Sequence, residues 1–296
     1  MHISTHASDE SVAAAVWPAS LALTINGSDR GTVLKKSKHI GPLYVQKAFY
    51  PEGPDCAHIY LLHPPGGVVS GDTLEISAAM NNGAAALFTT PGAMRLYRAR
   101  VDPNKSMSLP QRVNNILTID ESSLAEWLPG ETIVFNGANI ELSTAVQLDE
   151  SSLFCGWEII CLGLPSSNQP FKAGRFTQTF SITLAGVPKL VDRLQFSAES
   201  EYLKSNCGLQ AKHVYGSLIA GPFAKSCDEQ VNALREMIEL QGLEAECSVT
   251  TINEFVLLRY LGDLSDQARD VFIKAWTLLR PALCGRSAVE PRIWTT

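Results

Sequence analysis

The densest run of unusual residue types is His63-Pro64-Pro65-Gly66-Gly67-Val68-Val69-Ser70-Gly71-Asp72, where two ring-locked φ angles sit beside three glycines free to take φ > 0. Such a run lets a ligand or a second stretch of backbone come close, so a phosphate cradle is one chemistry to weigh. A P-loop, however, needs Gly-Lys-Ser/Thr opening a helix, and this run leads into a strand-like segment. Gly-x-Ser-x-Gly is absent, and none of the six histidines is an obvious base for a nucleophilic serine. The plainer reading is a tight corner between two strands, ended by Asp72 in an Asx-type bond to nearby backbone N–H groups.

Thr89-Thr90-Pro91-Gly92-Ala93 forms a second corner, followed by Arg95, Tyr97, Arg98 and Arg100. That basic stretch suits a carboxylate-bearing partner or a solvated strand that resists edge-to-edge pairing. Glu126-Trp127-Leu128-Pro129-Gly130-Glu131-Thr132 holds two acids, the residue types of general acid–base work, but the Pro-Gly between them turns them apart. Tight sites for borderline metal ions gather Cys and His at short spacing, and no His-x-His, His-Glu-x-x-His or Cys-x-x-Cys occurs. Cys155 and Cys161 share strand parity but lie too far apart along an extended chain to act together.

These residues must be positioned by strands. Leu21, Leu23 and Ile25 alternate with small or polar residues, a turn follows at 26–31, and 32–39 continues in β-favouring types, which is a hairpin pattern. Further strands are predicted at 43–49, 56–63, 73–80, 84–90, 113–119, 132–135, 140–148, 153–161, 176–184 and 213–220, with two more within 246–261. Only two segments take the helical period. Ser226 and Glu229 have capping-box spacing ahead of Val231, Leu234 and Ile238, and Gly242 ends that helix. Ser265 and Asp266 open a second helix whose buried stripe is Ala268, Val271, Phe272, Ala275 and Leu279, with Arg280 at the C-terminal dipole and Pro281 as its stop.

The chain has 296 residues, 45% hydrophobic and 18% charged, enough to build a large core. Its net charge of −6 lacks the concentrated basic face that a phosphate-backbone binder needs, so nucleic acid is not an expected partner. Seven cysteines, an odd number, fit reduced thiols and a cytoplasmic setting. Residues 1–20 have no Lys or Arg and only a short apolar stretch, so they are expected to form a loose arm, with 21–296 as a single β-rich domain. No apolar run reaches the roughly 18 residues of a membrane span.

Six motifs stand in register from Leu43 onward. They are Tyr50-Pro51-Glu52-Gly53, the 63–72 corner, Thr89 to Ala93 with Tyr97-Arg98, Glu126-Trp127-Leu128-Pro129 with Glu131-Thr132-Ile133, Trp157-Glu158 before Leu162-Gly163, and Pro291-Arg292-Ile293-Trp294-Thr295-Thr296. Together they resemble the urease accessory protein UreD (UreH) family. The resemblance implies a mainly β fold of helically wound, solenoid-like sheets with two α-helices in the C-terminal third. It implies a scaffold, not an enzyme, that joins UreF, and UreG through UreF, to apo-urease. Nickel would move through an internal passage, with no tightly bound cofactor.

Weak ligands suit such a role. Nickel(II) stands high in the divalent affinity series, so thiolates or clustered imidazoles would trap it, while isolated carboxylates, hydroxyls and carbonyls would let it leave. Asp72, Thr89, Thr90 and Glu131, at polar positions of the motifs, are the residues expected to line or support the passage. Trp17, Tyr97 and Trp294 are candidate partner anchors whose alternative is ordinary packing. Leu164 stands where the family commonly has Arg and Gly130 where it commonly has Gln, so no role is carried over at 164. Two other classes stay open: a β-rich hydrolase using Glu126, Glu131 or Asp72, and a nickel-storage protein.

Overall fold

The computed structural model describes residues 18–100, 108–224 and 226–295. Its strands begin with β1 (Pro18–Ser28), β2 (Gly31–Ile40), β3 (Ala48–Phe49), β4 (Cys56–Tyr60), β5 (Thr73–Asn81) and β6 (Ala85–Thr89). They continue with β7 (Met94–Leu96), β8 (Gln111–Ile119), β9 (Leu124–Trp127), β10 (Thr132–Val134), β11 (Asn139–Leu148) and β12 (Leu153–Leu164). The last are β13 (Gln169–Pro170), β14 (Arg175–Leu184), β15 (Val187–Ser197), β16 (Val214–Gly221), β17 (Cys247–Ile252) and β18 (Phe255–Gly262). Helices α1 (Asp228–Gln241) and α2 (Ser265–Cys284) flank β17 and β18 in the chain.

The strands form two sheets. The seven-stranded sheet runs β15-β14-β11-β8-β5-β1-β2, and the eleven-stranded one runs β17-β18-β16-β12-β9-β6-β4-β3 with β7, β10 and β13 attached. In the first, β1, β5, β8, β11 and β14 are parallel neighbours, while β2 and β15 close the edges as antiparallel hairpin partners. In the second, β4, β6, β9 and β12 are parallel. From β4 to β14 the main strands therefore pass back and forth between sheets, each return lying beside the previous visit. Neither sheet closes into a barrel.

Burial follows from this layering. The first sheet alternates cleanly: in β8, Val113, Asn115, Leu117 and Ile119 point inward while Arg112 and Ile116 face out. The central strands of the second sheet are covered on both faces, so β4, β6 and β9 have no exposed residue. One face packs on the first sheet through Ile59, Phe88, Trp127 and Phe154. The other packs under α1 and α2 through Leu87, Leu128, Trp157 and the stripe Ala268, Val271, Phe272, Ala275 and Leu279.

Several sequence expectations change. Pro18 to Ser20 belong to β1, with Ala19 buried, so the ordered body starts before residue 21. The rest of the arm, Trp17 included, lies outside the described residues. The stretch 43–49 contributes only a Tyr44–Leu62 bridge and β3. The Ser226–Glu229 capping box does not form: Cys227 is the N-cap, and Ser226 Oγ instead pairs with Asp228. Helix α2 runs through Pro281 to Cys284, and Gly285 in the left-handed region ends it. Packing wins there over the proline, because Leu279, Arg280 and Leu283 are buried on the side facing the sheet.

Candidate functional site

Strand β12 divides its side chains between the two cores. Phe154, Ile160 and Leu162 face the first sheet, and Cys155, Trp157 and Ile159 face the helices. The same parity sends Glu158 toward the first sheet. Three polar residues at core positions meet it there: Asn115 of β8, Thr144 of β11 and Gln178 of β14. Asn115 and Thr144 are register partners in adjacent parallel strands. Asn115 Nδ2 donates to Thr144 Oγ1 (3.0 Å), and Thr144 Oγ1 donates to Glu158 Oε1 (2.5 Å). Gln178 Nε2 donates to Glu158 Oε2, and the Tyr215 hydroxyl donates to Gln178 Oε1 (2.6 Å).

Every donor in this relay is directed toward Glu158. Burial pushes its carboxyl up to about 7, opposed by the bonds from Thr144 and Gln178 and reinforced by the charge of Asp192. Two cavities adjoin it. One, of about 390 Å³, is lined by His63, Gly67, Thr90, Asn115, Thr132 and Glu158 together with apolar residues. The other, of about 530 Å³, is lined by Glu158, Gln178, Asp192, Cys207, Tyr215 and Arg259 among others. Among the described residues Glu158 alone lines both. Burial lowers the pKa of His63, with Asp72 pulling the other way.

A second buried polar cluster lies on the opposite face of the same sheet. Glu126 of β9 is fully buried, and Trp276 Nε1 donates to its Oε1 (2.6 Å). Arg280 grips it with Nε (2.9 Å to Oε1) and Nη2 (2.8 Å to Oε2), and reaches Glu52 Oε1 with Nη2 (2.8 Å) and Ser287 O with Nη1 (2.5 Å). Burial works against the guanidinium charge, but Glu126 and Glu52 raise its pKa above the ordinary arginine value. Glu52 Oε1, Cys56 Sγ and His58 Nε2 lie within 4.8 Å of one another, a metal-like grouping. Arg280 already supplies its cation: Nη2 is 3.8 Å from the Cys56 sulfur, whose thiol burial pushes well up. The cluster ties α2 and the segment after it to the second sheet. It also seals Glu126 from any substrate, which removes that residue from the acid–base pair considered above.

The residues chosen from the sequence do not form one group. Thr90 lines the 390 Å³ cavity, donating to Gly92 O (2.9 Å) and accepting from Gly130 N (2.9 Å). Thr89 is fully buried on the helix side, donating to Leu128 O (2.6 Å) and accepting from Trp294 Nε1 (2.8 Å). Asp72 closes its own turn by accepting from Val69 N (3.0 Å), leaving Oδ1 buried and unpartnered. The carbonyl of Glu131 accepts from Met94 N (2.9 Å), and Met94 lines the cavity. Tyr97 is half-buried against Phe135, and Trp294 against Trp157 and Trp276, so the packing reading accounts for both.

The glycine-rich corner has a structural explanation. A Cβ on Gly67 would stand 2.2 Å from the Tyr97 ring and 2.9 Å from Arg95 O, so β7 is what comes close to this backbone. At Gly130 an added Cβ would stand 2.9 Å from Gly92 O, so the turn at 129–130 packs on the 89–93 corner more tightly than a side chain there allows. The relay residues Asn115, Thr144, Gln178 and Tyr215 were missed by motif reading. Their signal is polarity at the inward parity of otherwise apolar strands: Val113-x-Asn115-x-Leu117, Leu142-x-Thr144-x-Val146 and Phe176-x-Gln178-x-Phe180.

Comparison with known proteins agrees with the motifs. The profile of the family described as UreD urease accessory protein matches residues 18–295. A protein named urease accessory protein UreD from Marinomonas sp. strain MWYL1 is 42% identical over 293 residues, covering 96% of this chain and 92% of that one. The protein of that name from Psychromonas ingrahamii is 39% identical over 291 residues, covering 95% and 94%. The one from Hahella chejuensis is 36% identical over 288 residues, covering 95% and 91%. With a match across both sheets and both helices, the chain belongs to the UreD family of urease accessory proteins.

Proposed function

We propose that this chain is a non-enzymatic assembly factor for the nickel centre of urease: a cytoplasmic scaffold that joins UreF, and UreG through UreF, to apo-urease and lets nickel pass through its own interior. The observation that carries the conduit is the pair of cavities, about 390 and 530 Å³, that meet at Glu158. In the 390 Å³ cavity the polar lining is scattered oxygens and amides beside His63 and Arg95, with no thiol, which offsets part of the dehydration cost of a divalent ion without holding it; the 530 Å³ cavity is more charged and also carries Cys207 and Cys247. Thr90 contributes directly to the wall. Asp72, Thr89 and Glu131 support it: Asp72 fixes the corner that carries the glycines, Thr89 holds Leu128 beside Trp127 and Pro129, and Glu131 anchors Met94. No helix among the described residues is long and apolar enough to cross a membrane.

The test is co-expression of urease subunits with UreF and UreG, with and without this chain, at limiting nickel. Affinity capture should recover all partners on one bait only when the chain is present, and the urease should then hold nickel. Equal nickel in urease without the chain would contradict the reading.

A further inference from the structure

The two edges of the seven-stranded sheet are held very differently. Strand β15 is tied to the β17–β18 hairpin of the second sheet: Lys189 pairs with Glu254 (2.9 Å), Asp192 with Arg259 (3.0 Å), and Asn253 Nδ2 donates to Lys189 O (2.8 Å). Strand β2 has no such tie over most of its length. Thr32 N donates to Pro54 O (2.8 Å) at its start, and beyond that point no third strand pairs with it among the described residues. Its far half therefore presents a row of open backbone N–H and C=O groups, a template for one more strand.

The side chains of that half share one sign. Lys35, Lys36, Lys38 and His39 are exposed, and no Asp or Glu occurs from Gly31 to Pro51. The register sets Lys36 opposite Thr24 and Lys38 opposite Ala22, while Lys35 is the extra residue of a bulge. Strand β1 beside them carries no charged side chain, and no ion pair reaches the three lysines among the described residues. In a chain of net charge −6, three uncompensated lysines within four positions are a local concentration of charge.

Lysines on an edge also keep sheets from joining copies of themselves. The same charges do both jobs. A second β2 edge would set lysine against lysine and be repelled, whereas a strand with carboxylates at alternate positions would be drawn in. Lys36, Lys38 and the exposed Ile40 stand on one face at period two, so the complementary segment has alternate acids beside an apolar residue.

We infer that residues 36–40 of β2 are a docking edge for an extended acidic segment of a partner protein, added to the sheet by backbone pairing and selected by Lys35, Lys36 and Lys38. It deepens the scaffold reading and rests on it for which protein supplies the segment, but the edge itself is testable with a peptide.

The probe is a labelled peptide of about eight residues alternating Glu and Val, titrated onto the full-length chain by fluorescence polarisation, with hydrogen exchange read at the β2 amides. Wild type should bind it, lose at least about tenfold in affinity between about 0.05 and about 0.5 M salt, and show slowed exchange at 36–40. The triple variant Lys35→Glu, Lys36→Glu, Lys38→Glu should lose this peptide and take a Lys–Val peptide instead, with thermal unfolding near wild type because all three side chains are exposed. A Glu–Val peptide broken by a central proline should bind at least about tenfold more weakly than the intact one. No binding by wild type, equal binding of the proline-broken peptide, or binding without slowed exchange at 36–40 would overturn the docking edge. With UreF, UreG and urease co-expressed, the charge-reversed chain should fail to capture one of them; capture of all three as firmly as by wild type would also overturn it. A wild-type chain that captures none of the three contradicts the scaffold alone, and the edge then stands on the peptide and exchange results.

Discussion

Glu52 shows how far one residue departs from its neighbours in the sequence. Burial alone would raise its carboxyl pKa, but hydrogen bonds from His58 Nε2 (2.7 Å) and Arg280 Nη2 (2.8 Å) outweigh it and bring it to about 2. A folded-state value below the ordinary 4.5 means that the unfolded chain binds the proton more readily. The stabilisation is therefore complete above pH 4.5 and lost as pH falls toward 2. Glu52→Gln should cost about 2–3 kcal/mol at pH 6, with the gap to wild type closing between pH 4.5 and 2 in urea unfolding. A gap that stays constant over that range would show that Glu52 acts through packing alone. None of this was legible in the motif Tyr50-Pro51-Glu52-Gly53, since the partner at position 280 reads from sequence as a charge meeting the C-terminal end of a helix dipole. Glu158 was more legible: a charged residue inside the apolar run 153–164 announces a buried carboxylate, though its neutral partners come from two other strands.

Among elements, those with clean periodicity were readable and those decided by tertiary contact were not. The alternations in β1, β8, β11 and β14 and the stripes of α1 and α2 match their buried residues. Strand β15 escaped because Lys189, Asp192 and Arg193 break its pattern at a solvated edge, and β7 and β9 because three or four residues inside a motif give too little period to see. The 3-10 turn at Arg292–Thr295 is likewise invisible as an element, yet it brings Trp294 onto Trp157, Trp276 and the hydroxyl of Thr89. Trp294→Ala should destabilise the fold by about 2–3 kcal/mol, less than a fully buried tryptophan because the residue is only partly buried. Trp294→Phe should recover most of that and lose only the bond to Thr89, about 1 kcal/mol. Thermal unfolding of the two variants separates the terms, and equal losses would mean that ring packing contributes little.

At the scale of the molecule, the winding of the chain makes a two-sheet body with the helices as a third layer on one side. That arrangement leaves room for a polar gap in an otherwise apolar interior, because inward parity brings polar residues of neighbouring strands together: Asn115 is in register with Thr144, and Gln178, one strand further, stands two residues along, opposite Leu142. Fold class and family were readable from strand spacing and motifs. The gap was not, since it exists only once β8, β11, β12 and β14 are side by side.

If nickel crosses this gap while partners are held elsewhere, filling the gap stops delivery without breaking the complex. Met94 lines the 390 Å³ cavity and takes no part in the hydrogen bonds to Glu158, so Met94→Trp fills space while leaving every polar residue of the relay in place. The decisive measurement is nickel per urease active site after co-expression of the Met94→Trp chain with UreF, UreG and urease at limiting nickel. The complex should still be captured whole while urease nickel drops toward the level seen without the chain. Fully loaded urease behind a filled cavity would contradict it.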